Sequence, residues 1–459
     1  MKPIHGLCLA GLTAALLAGP ALADQKFPAE LAGHGVIDAA TFIAPPAEAP
    51  DLFRTSGKFT AADRKRVDQP RSIDGTSFLS APGAPRGTGM ALPFEGQPVQ
   101  GFSGIKALGD GSFLVLTDNG FGSKGNSADA MLTVHRLTID WKTGKAAVAE
   151  TLFLRDPDRK VPFPIVTEAT KERYLTGADF DVESVQIIGD RMYFGDEFGP
   201  YILVTDRTGK LLSLHESMVD GKPVRSPDHY AVSTPAVPGA VGFEVRRSRG
   251  FEGMAASKDG RFLYPLFEGP LFNAQIGTVG AWETKDGREY LRIAEFDVAK
   301  GDFTGRSVKY LLEANGNNIG DFNMIDATTG LIIERDNGEG NPAQGCTSQP
   351  TPDCFNVPAR FKRVYKIDFA QADAEGFVKK VGYVDLMDID DPKGVTQLGG
   401  DKGKFTFPFV TIENVDVVDA EHIVVGNDNN LPYSSGRALG KQDHNELILL
   451  RVPQFLAAK

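Results

Sequence analysis

Residues 250–270 read GFEGMAASKDGRFLYPLFEGP, and the pattern of this stretch decides the fold class. A short apolar run is followed by the turn dipeptide Asp259-Gly260, a second apolar run and an acidic residue. An Asp-Gly pair between two apolar runs is a strong signal for a β-hairpin. The stretch therefore predicts two antiparallel strands, with Glu252 and Glu268 side by side at the end opposite the turn.

The same pattern recurs four more times along the chain. The first polar residues of the five copies, which are separated by 80, 69, 69 and 92 residues, are Ser103, Glu183, Glu252, Asp321 and Glu413. This spacing leaves room for two further strands in each unit, and repeated four-stranded sheets are typical of a β-propeller. The other copies read GFSGIKALGDGSFLVLTDNG (residues 101–120), DVESVQIIGDRMYFGDEFGP (181–200), IGDFNMIDATTGLIIERDNGEG (319–340) and TIENVDVVDAEHIVVGNDNN (411–430).

The chain is therefore predicted to be all-β, with a single propeller over residues 101–459. The spacing of the copies favours six four-stranded blades over five or seven. Residues 24–100 are rich in Pro and Gly and form either a strap or, with the strand at 446–452, a segment that closes the ring. A first blade shared with the last one would remove exposed sheet edges.

The N-terminal residues indicate export. Lys2 precedes an apolar run at residues 7–17, and Ala21-Leu22-Ala23 has the small-x-small form that signal peptidase cleaves. We predict a signal peptide over residues 1–23, cleaved after Ala23, and a periplasmic or secreted mature protein. The run is shorter than the about 20 residues that span a bilayer, and no second run follows, so the protein is not membrane-embedded.

The charge balance argues against nucleic acid as a partner. The chain has 49 basic and 60 acidic residues and a net charge of -11, whereas phosphate backbones require basic surfaces. We expect a monomer that binds a small molecule.

Two cysteines remain after the predicted cleavage. Cys346 and Cys354 flank the loop TSQPTPD. In an exported protein this arrangement favours a disulfide over a metal site, which two isolated cysteines without a nearby histidine support poorly.

Acidic residues recur at the hairpin end opposite the turn in every copy. The innermost strands of a propeller run along its channel in one direction, so these residues converge on one mouth. Such a carboxylate ring requires cations, and its oxygen ligands suit calcium, which we predict as the cofactor. The candidate metal ligands are Asp118, Glu183, Asp196, Glu197, Glu252, Glu268, Asp321, Glu334, Asp336, Glu413 and Asp428.

Arg249 and Arg335 lie inside the same motifs and are candidates either for ion pairing or for substrate binding. The sequence has no GxSxG nucleophile motif, no HExxH motif and no phosphate-binding glycine loop. No catalytic residue is assigned.

The ordered motifs resemble those of the phytase-like esterase family of exported bacterial proteins. They are GFSGI with LTDNG, DVES with GDEFGP, RGFEGMA with LFEGP, LIIERDNG, and TIENV with GNDNN, from Gly101 towards the C-terminus. The resemblance implies a β-propeller related to alkaline phytases, which use calcium to hydrolyse phosphate monoesters. The chain departs from the family pattern at Asn427, where the family often has Ser, and at Asp321, which replaces Glu.

Two alternative functions are compatible with the same ring. One is a calcium-dependent lactonase or sugar-ester hydrolase, and the other is a non-enzymatic binding propeller stabilised by calcium. A phosphatase requires several cations or basic groups around one pocket, whereas a lactonase requires one buried calcium with few ligands.

Overall fold

The computed structural model describes residues 25–237, 241–273 and 281–459, which are almost entirely β-structure. The predicted signal peptide, residues 1–23, lies outside the described residues. Within the described ranges, no helix is long and apolar enough to cross a membrane.

The N-terminal region contains short strands and one 3-10 helix, Asp51–Arg54. The longest of these strands is β2, and the others pair as small two-stranded ribbons or at a sheet edge. They are β1 (Gln25–Phe27), β2 (Glu30–Ile37), β3 (Phe42–Ile43), β4 (Thr55–Ser56), β5 (Ile73–Thr76), β6 (Gly87–Leu92), β7 (Phe94–Glu95) and β8 (Gln97–Pro98).

The rest of the chain forms consecutive antiparallel sheets, here called blades I to V. Blade I consists of β9 (Phe102–Ala107), β10 (Ser112–Thr117), β11 (Thr133–Asp140) and β12 (Lys145–Phe153). Blade II consists of β13 (Val182–Ile188), β14 (Arg191–Asp196), β15 (Tyr201–Asp206) and β16 (Leu211–Glu216), and is followed by the ribbon of β17 (Met218–Val219) and β18 (Lys222–Pro223). Blade III consists of β19 (Phe251–Ala256), β20 (Phe262–Phe267), β22 (Arg288–Asp297) and β23 (Asp302–Leu311), with β21 (Thr284–Lys285) at its edge.

Blade IV consists of β24 (Asn318–Met324), β25 (Thr329–Arg335), β26 (Lys362–Asp368) and β27 (Lys379–Asp385). Strand β1 pairs in parallel with β27 at the outer edge of this blade. Blade V consists of β31 (Ile412–Val417), β32 (His422–Asn427), β33 (Asn445–Arg451) and the N-terminal strand β2. The remaining elements are the 3-10 helix Pro342–Gln344, β28 (Ile389–Asp390), β29 (Gly400–Asp401), β30 (Lys404–Phe405) and helix α1 (Pro453–Ala457).

The five inner strands close into a ring. Strands β9, β13, β19 and β24 pack one against the next, β24 packs against β31, and β31 packs against β9. A separate apolar core fills each of the five gaps between neighbouring blades. Both faces of each sheet are therefore buried, which explains why the second hairpin strands are continuously apolar rather than alternating. The predicted all-β propeller is confirmed.

Strand β2 closes the ring. It pairs antiparallel with β33, from Glu30 opposite Arg451 to Ile37 opposite Asn445. Beneath this pair, His34 Nε2 lies 2.9 Å from Glu446 Oε2, and Arg437 Nη2 donates to the same oxygen at 2.7 Å. Burial alone would raise the pKa of Glu446, but Arg437 and His34 lower it to about 2.

The prediction of six blades is wrong: the described residues contain five four-stranded blades. Strand β2 does not start a blade of its own, because it supplies the outermost strand of blade V. Residues 38–101 and the long loops at 154–181, 217–250 and 336–361 take up the length that the spacing assigned to a sixth blade.

Residues 38–101, here called the strap, lie over the loops that follow the second strands of blades I, IV and V. Thr88 Oγ1 donates to Pro432 O at 2.8 Å, and Phe78 N donates to Tyr433 O at 3.0 Å. Arg86 forms a buried ion pair with Glu339. The strap is thus held to the same end of the propeller as the acidic hairpin ends.

The predicted disulfide between Cys346 and Cys354 is confirmed, with the two Cα atoms 5.0 Å apart. It closes a loop between β25 and β26. Arg86 donates to Cys354 O at 3.1 Å, and its guanidinium lies 5.1 Å from the ring centre of the buried Phe355. The disulfide loop therefore forms one of the surfaces on which the strap rests.

We expect Leu31→Ala to lower the free energy of unfolding by about 2–5 kcal/mol, because Leu31 is fully buried in the core between blades IV and V. Chemical denaturation monitored by circular dichroism measures this loss. As a control, Val237→Ala, at a side chain that is 69% exposed, should change stability by less than about 0.5 kcal/mol. Equal effects of the two substitutions would show that β2 does not close the ring.

We expect the double variant Cys346→Ser/Cys354→Ser to lose about 2–3 kcal/mol of stability, because the disulfide restricts the unfolded chain and closes only a short loop. Wild-type protein under reducing conditions should lose the same amount. Both thiols should resist alkylation until the protein is reduced. Alkylation of unreduced native protein, with stability unaffected by the double substitution, would contradict this expectation.

Candidate functional site

The hairpins of the five blades place equivalent residues at one mouth of the channel. In each hairpin, one residue pair near the open end fixes the register: Phe102 with Thr117, Val182 with Asp196, Phe251 with Phe267, Ile319 with Glu334, and Ile412 with Asn427. The residues that follow this pair are Ser103, Glu183, Glu252, Gly320 and Glu413 on the first strands, and Asp118, Glu197, Glu268, Arg335 and Asp428 at or directly after the ends of the second strands. We call these ten positions the mouth ring.

Glu183, Glu252 and Glu413 are the extra residues of β-bulges. The pairing skips them, from Val182 to Ser184 and equivalently in blades III and V. A bulge leaves its extra residue unpaired and re-aims the side chain, which is why bulges are frequent next to functional sites. The bulges bring these three carboxylates together, with ligand oxygens within 4.8 Å of one another.

Seven of the eleven predicted metal ligands occupy the mouth ring. Glu197, Glu252 and Glu268 form a second group of carboxylates with oxygens within 4.8 Å. Asp118 and Asp428 lie at the equivalent positions of blades I and V, and the charge of Asp428 acts on Asp118. The seven residues are Asp118, Glu183, Glu197, Glu252, Glu268, Glu413 and Asp428.

The placement of Asp196, Glu334 and Asp336 in the ring is wrong. Successive side chains of a strand point to opposite faces. Because Glu197 and Arg335 face the mouth, the preceding residues, Asp196 and Glu334, point away from it. Asp196 accepts from the backbone N–H groups of Asp181 and Gly199.

Glu334 accepts from Tyr310 Oη at 2.8 Å and from Lys380 Nζ at 3.0 Å. Asp336 accepts from Phe361 N at 2.9 Å and forms an ion pair with Lys362 at 3.0 Å. Protein donors thus hold both carboxylates away from the ring.

Asp321 lies deeper in the channel than the mouth ring. One of its oxygens accepts from Ile105 N at 3.1 Å and Val415 N at 3.2 Å, on the inner strands of blades I and V. Asn323, from the same strand as Asp321, accepts from Gln186 Nε2 of blade II at 2.8 Å. These hydrogen bonds cross the channel below the ring, so Asp321 belongs to its floor and not to the ring itself.

Asp181 is a site residue that the sequence analysis missed. Its oxygens lie within 4.8 Å of ligand oxygens of Glu183 and Glu197. The residue was visible as the first letter of the DVES motif, but the other copies have no acid at that place, so the repeat gave no reason to include it.

The two arginines of the motifs differ in environment. Arg335 Nη2 donates to Glu413 Oε1 at 2.7 Å and lies 3.6 Å from Glu268 Oε1, with a side chain only 4% exposed. Arg249 forms an ion pair with Glu268, and its side chain is 34% exposed. Arg249 can therefore reach a ligand in the mouth, whereas Arg335 is enclosed by carboxylates.

The carboxyl groups of the ring are held in an environment that disfavours full ionisation. Burial and then the charges of neighbouring carboxylates raise the pKa values of Glu183, Glu197 and Glu252 well above the ordinary value. Burial and the charge of Glu413 raise the pKa of Asp428 to about 8. At neutral pH the ring must either retain protons or bind cations.

The ring fits a metal ion that prefers oxygen ligands. Glu197 Oε1 and Glu252 Oε1 are buried and have no hydrogen-bond partner. An unsatisfied buried carboxylate oxygen is costly, and a hard cation such as calcium would satisfy it. The residues that would hold the ion are Asp181, Glu183, Glu197 and Glu252, and each of the three glutamates belongs to two groups of carboxylates within ligand distance.

The protein is thus a five-bladed propeller whose carboxylates cluster at one end of the channel. The chain belongs to the phytase-like family, because the family model described as "esterase-like activity of phytase" matches residues 97–431, more than half of the sequence. Among curated proteins, none matches the chain in sequence.

Several solved structures match this chain at low similarity over most of its length. The periplasmic gluconolactonase of Pseudomonas aeruginosa is 11% identical, with 83% of this chain and 99% of that chain covered and a TM-score of 0.31. A luciferin-regenerating enzyme is 10% identical, with coverages of 78% and 93% and a TM-score of 0.31. A putative 6-phosphogluconolactonase of Bacteroides fragilis is 12% identical, with coverages of 77% and 86% and a TM-score of 0.28. Similarity at this level carries no functional conclusion.

With a chelator present, we expect the free energy of unfolding to fall as the pH rises from about 4 to about 8. The pKa is raised from 3.8 to about 7 in Asp196 and Asp321 and to about 8 in Asp428, with burial as the main cause. Stability from a raised carboxyl pKa is complete below the unfolded value and is lost as the pH rises through the folded value.

Urea denaturation across this pH range measures the slope. Asp428→Asn should flatten it, whereas Asp190→Asn, on the exposed turn of the blade II hairpin, should leave it unchanged. A stability that rises with pH over the same range would contradict the expectation.

Proposed function

We propose that the protein is an exported, calcium-dependent hydrolase of ester bonds, with phosphate esters as the preferred substrate class. Family membership supports ester hydrolysis. The observation that carries the proposal is the pair of buried, unpartnered oxygens of Glu197 and Glu252 inside a group of carboxylates. The predicted signal peptide and the disulfide, which suits an oxidising compartment, support export.

The residues of the mouth have distinct roles in this proposal. Glu183, Glu197 and Glu252 hold the cation, with Asp181 beside them. When bound, calcium supplies positive charge that attracts phosphoryl oxygens and acidifies a nearby water. Arg249, which is partly exposed, donates to an anionic group of the substrate.

The hydrogen bonds of Asp321, Asn323 and Gln186 cross the channel below the ring. The substrate is therefore proposed to bind on the mouth side, where carboxylate oxygens lack partners. A carboxylate of the ring that does not hold the cation can accept a proton from water.

We expect calcium at a hundredfold excess over its dissociation constant to stabilise the protein by about 2.7 kcal/mol, because it binds only the folded state. The double variant Glu183→Gln/Glu252→Gln should lose most of this gain and all calcium-dependent hydrolysis. Thermal denaturation measures the first effect. A panel of phosphate monoesters, carboxyl esters and lactones, assayed with calcium and with chelator, measures the second.

Asp190→Asn serves as the control and should keep both the stabilisation and the activity. If the double variant keeps the full calcium stabilisation, the ring does not hold calcium and the proposal fails. Hydrolysis of lactones or carboxyl esters but not of phosphate esters would favour the lactonase or sugar-ester alternative. Calcium stabilisation without hydrolysis of any substrate would favour a binding propeller.

A further inference from the structure

Blade IV breaks the fivefold pattern of the mouth ring. At the ring position near the end of the second strand, the other four blades have Asp118, Glu197, Glu268 and Asp428, whereas blade IV has Arg335. On its first strand, blade IV has Gly320, where a Cβ atom would lie 2.2 Å from Ile412 O. Blade IV therefore contributes no carboxylate to the ring and one fixed positive charge.

This positive charge satisfies the carboxylates of one side of the ring. Arg335 donates to Glu413 Oε1 at 2.7 Å, and Ser103 Oγ donates to Glu413 Oε2 at 3.0 Å. Both oxygens of Glu413 thus have a partner within the protein. Glu268 lies between Arg249, with which it is paired, and Arg335, whose Nη2 is 3.6 Å away.

Two carboxylates next to these paired residues retain an oxygen without any such partner. The buried carboxylate oxygens of the ring without a hydrogen-bond partner, Glu197 Oε1 and Glu252 Oε1, belong to blades II and III. Both residues are at least nine-tenths buried, and each belongs to two groups of three carboxylates whose oxygens lie within ligand distance. These two oxygens require a cation to satisfy them, whereas the carboxylates paired with arginine do not.

We infer that Arg335 is a tethered counter-ion that limits the mouth to a single divalent cation, held between blades II and III by Glu183, Glu197 and Glu252. This inference rests on the proposed calcium-binding function. Arg335 takes the place of a second ion, which Glu413 and Glu268 would otherwise bind. It also explains how a ring with so many carboxylates provides one ion site and, at Arg249, one cationic edge for an anionic substrate.

Calcium counting tests the inference. Protein is dialysed against buffered free calcium, and the bound ions are counted by atomic emission and by isothermal titration with calcium alone. Relative to wild type, Glu183→Gln/Glu252→Gln should lose one ion. Arg335→Gln should gain one ion, because it frees Glu413 and Glu268 to bind calcium. Arg335→Lys keeps the charge and should leave the count unchanged.

A further variant keeps the test informative if Arg335→Gln does not fold. Glu413→Gln should leave the wild-type count unchanged, because Arg335 and Ser103 already occupy both oxygens of Glu413. Loss of an ion in Glu413→Gln, loss of two or more in the Glu183/Glu252 double variant, or no gain in a folded Arg335→Gln would overturn the inference and leave calcium binding intact. If the double variant loses no ion, the proposed function itself fails.

Discussion

Repulsion among buried carboxylates is the constraint on which the rest of the mouth depends. Two like charges 4 Å apart repel by about 4 kcal/mol at an effective dielectric constant of 20, and the oxygens within each group of three carboxylates at the mouth lie within 4.8 Å of one another. The chain cannot relieve this repulsion by moving the side chains into water, because all of them are buried. Protons, arginines or cations must balance the charge, and the raised pKa values are the visible result of that competition.

The ring of blades is what keeps the repelling groups together. Each inner strand is held between two apolar cores, and strand β2 joins the end of the chain to its beginning, so no blade can swing outward alone. The energy of burying five interblade cores thus offsets the cost of the mouth. The bulges at Glu183, Glu252 and Glu413 then direct the carboxylates towards the channel. The inner strands therefore both pack in the interblade cores and carry the carboxylates of the mouth.

The repeated features of this arrangement could be predicted from the sequence. Hairpin turns such as Asp259-Gly260 fixed the strand pairs, and the pairing of Glu252 with Glu268 followed from strand length alone. Features that do not recur in every copy could not be predicted from the sequence. Asp196 and Glu334 sit one residue before Glu197 and Arg335, and only the observed register shows which of two adjacent side chains faces the mouth. Asp181 has no equivalent in the other copies, and the blade number depended on β2, which carries no hairpin motif.

The irregularity of blade IV has a single steric origin. The inner strand of blade V approaches so closely that only glycine fits at position 320, since a Cβ atom there would lie 2.2 Å from Ile412 O. The acid of this copy is therefore displaced by one residue, to Asp321, where backbone N–H groups of Ile105 and Val415 bind it below the ring. With its acid removed from the mouth, blade IV can present Arg335 to Glu413 without an adjacent carboxylate of its own. A close backbone contact thus determines where negative charge can lie, and the arginine makes the mouth asymmetric, with its unpartnered buried carboxylate oxygens on blades II and III.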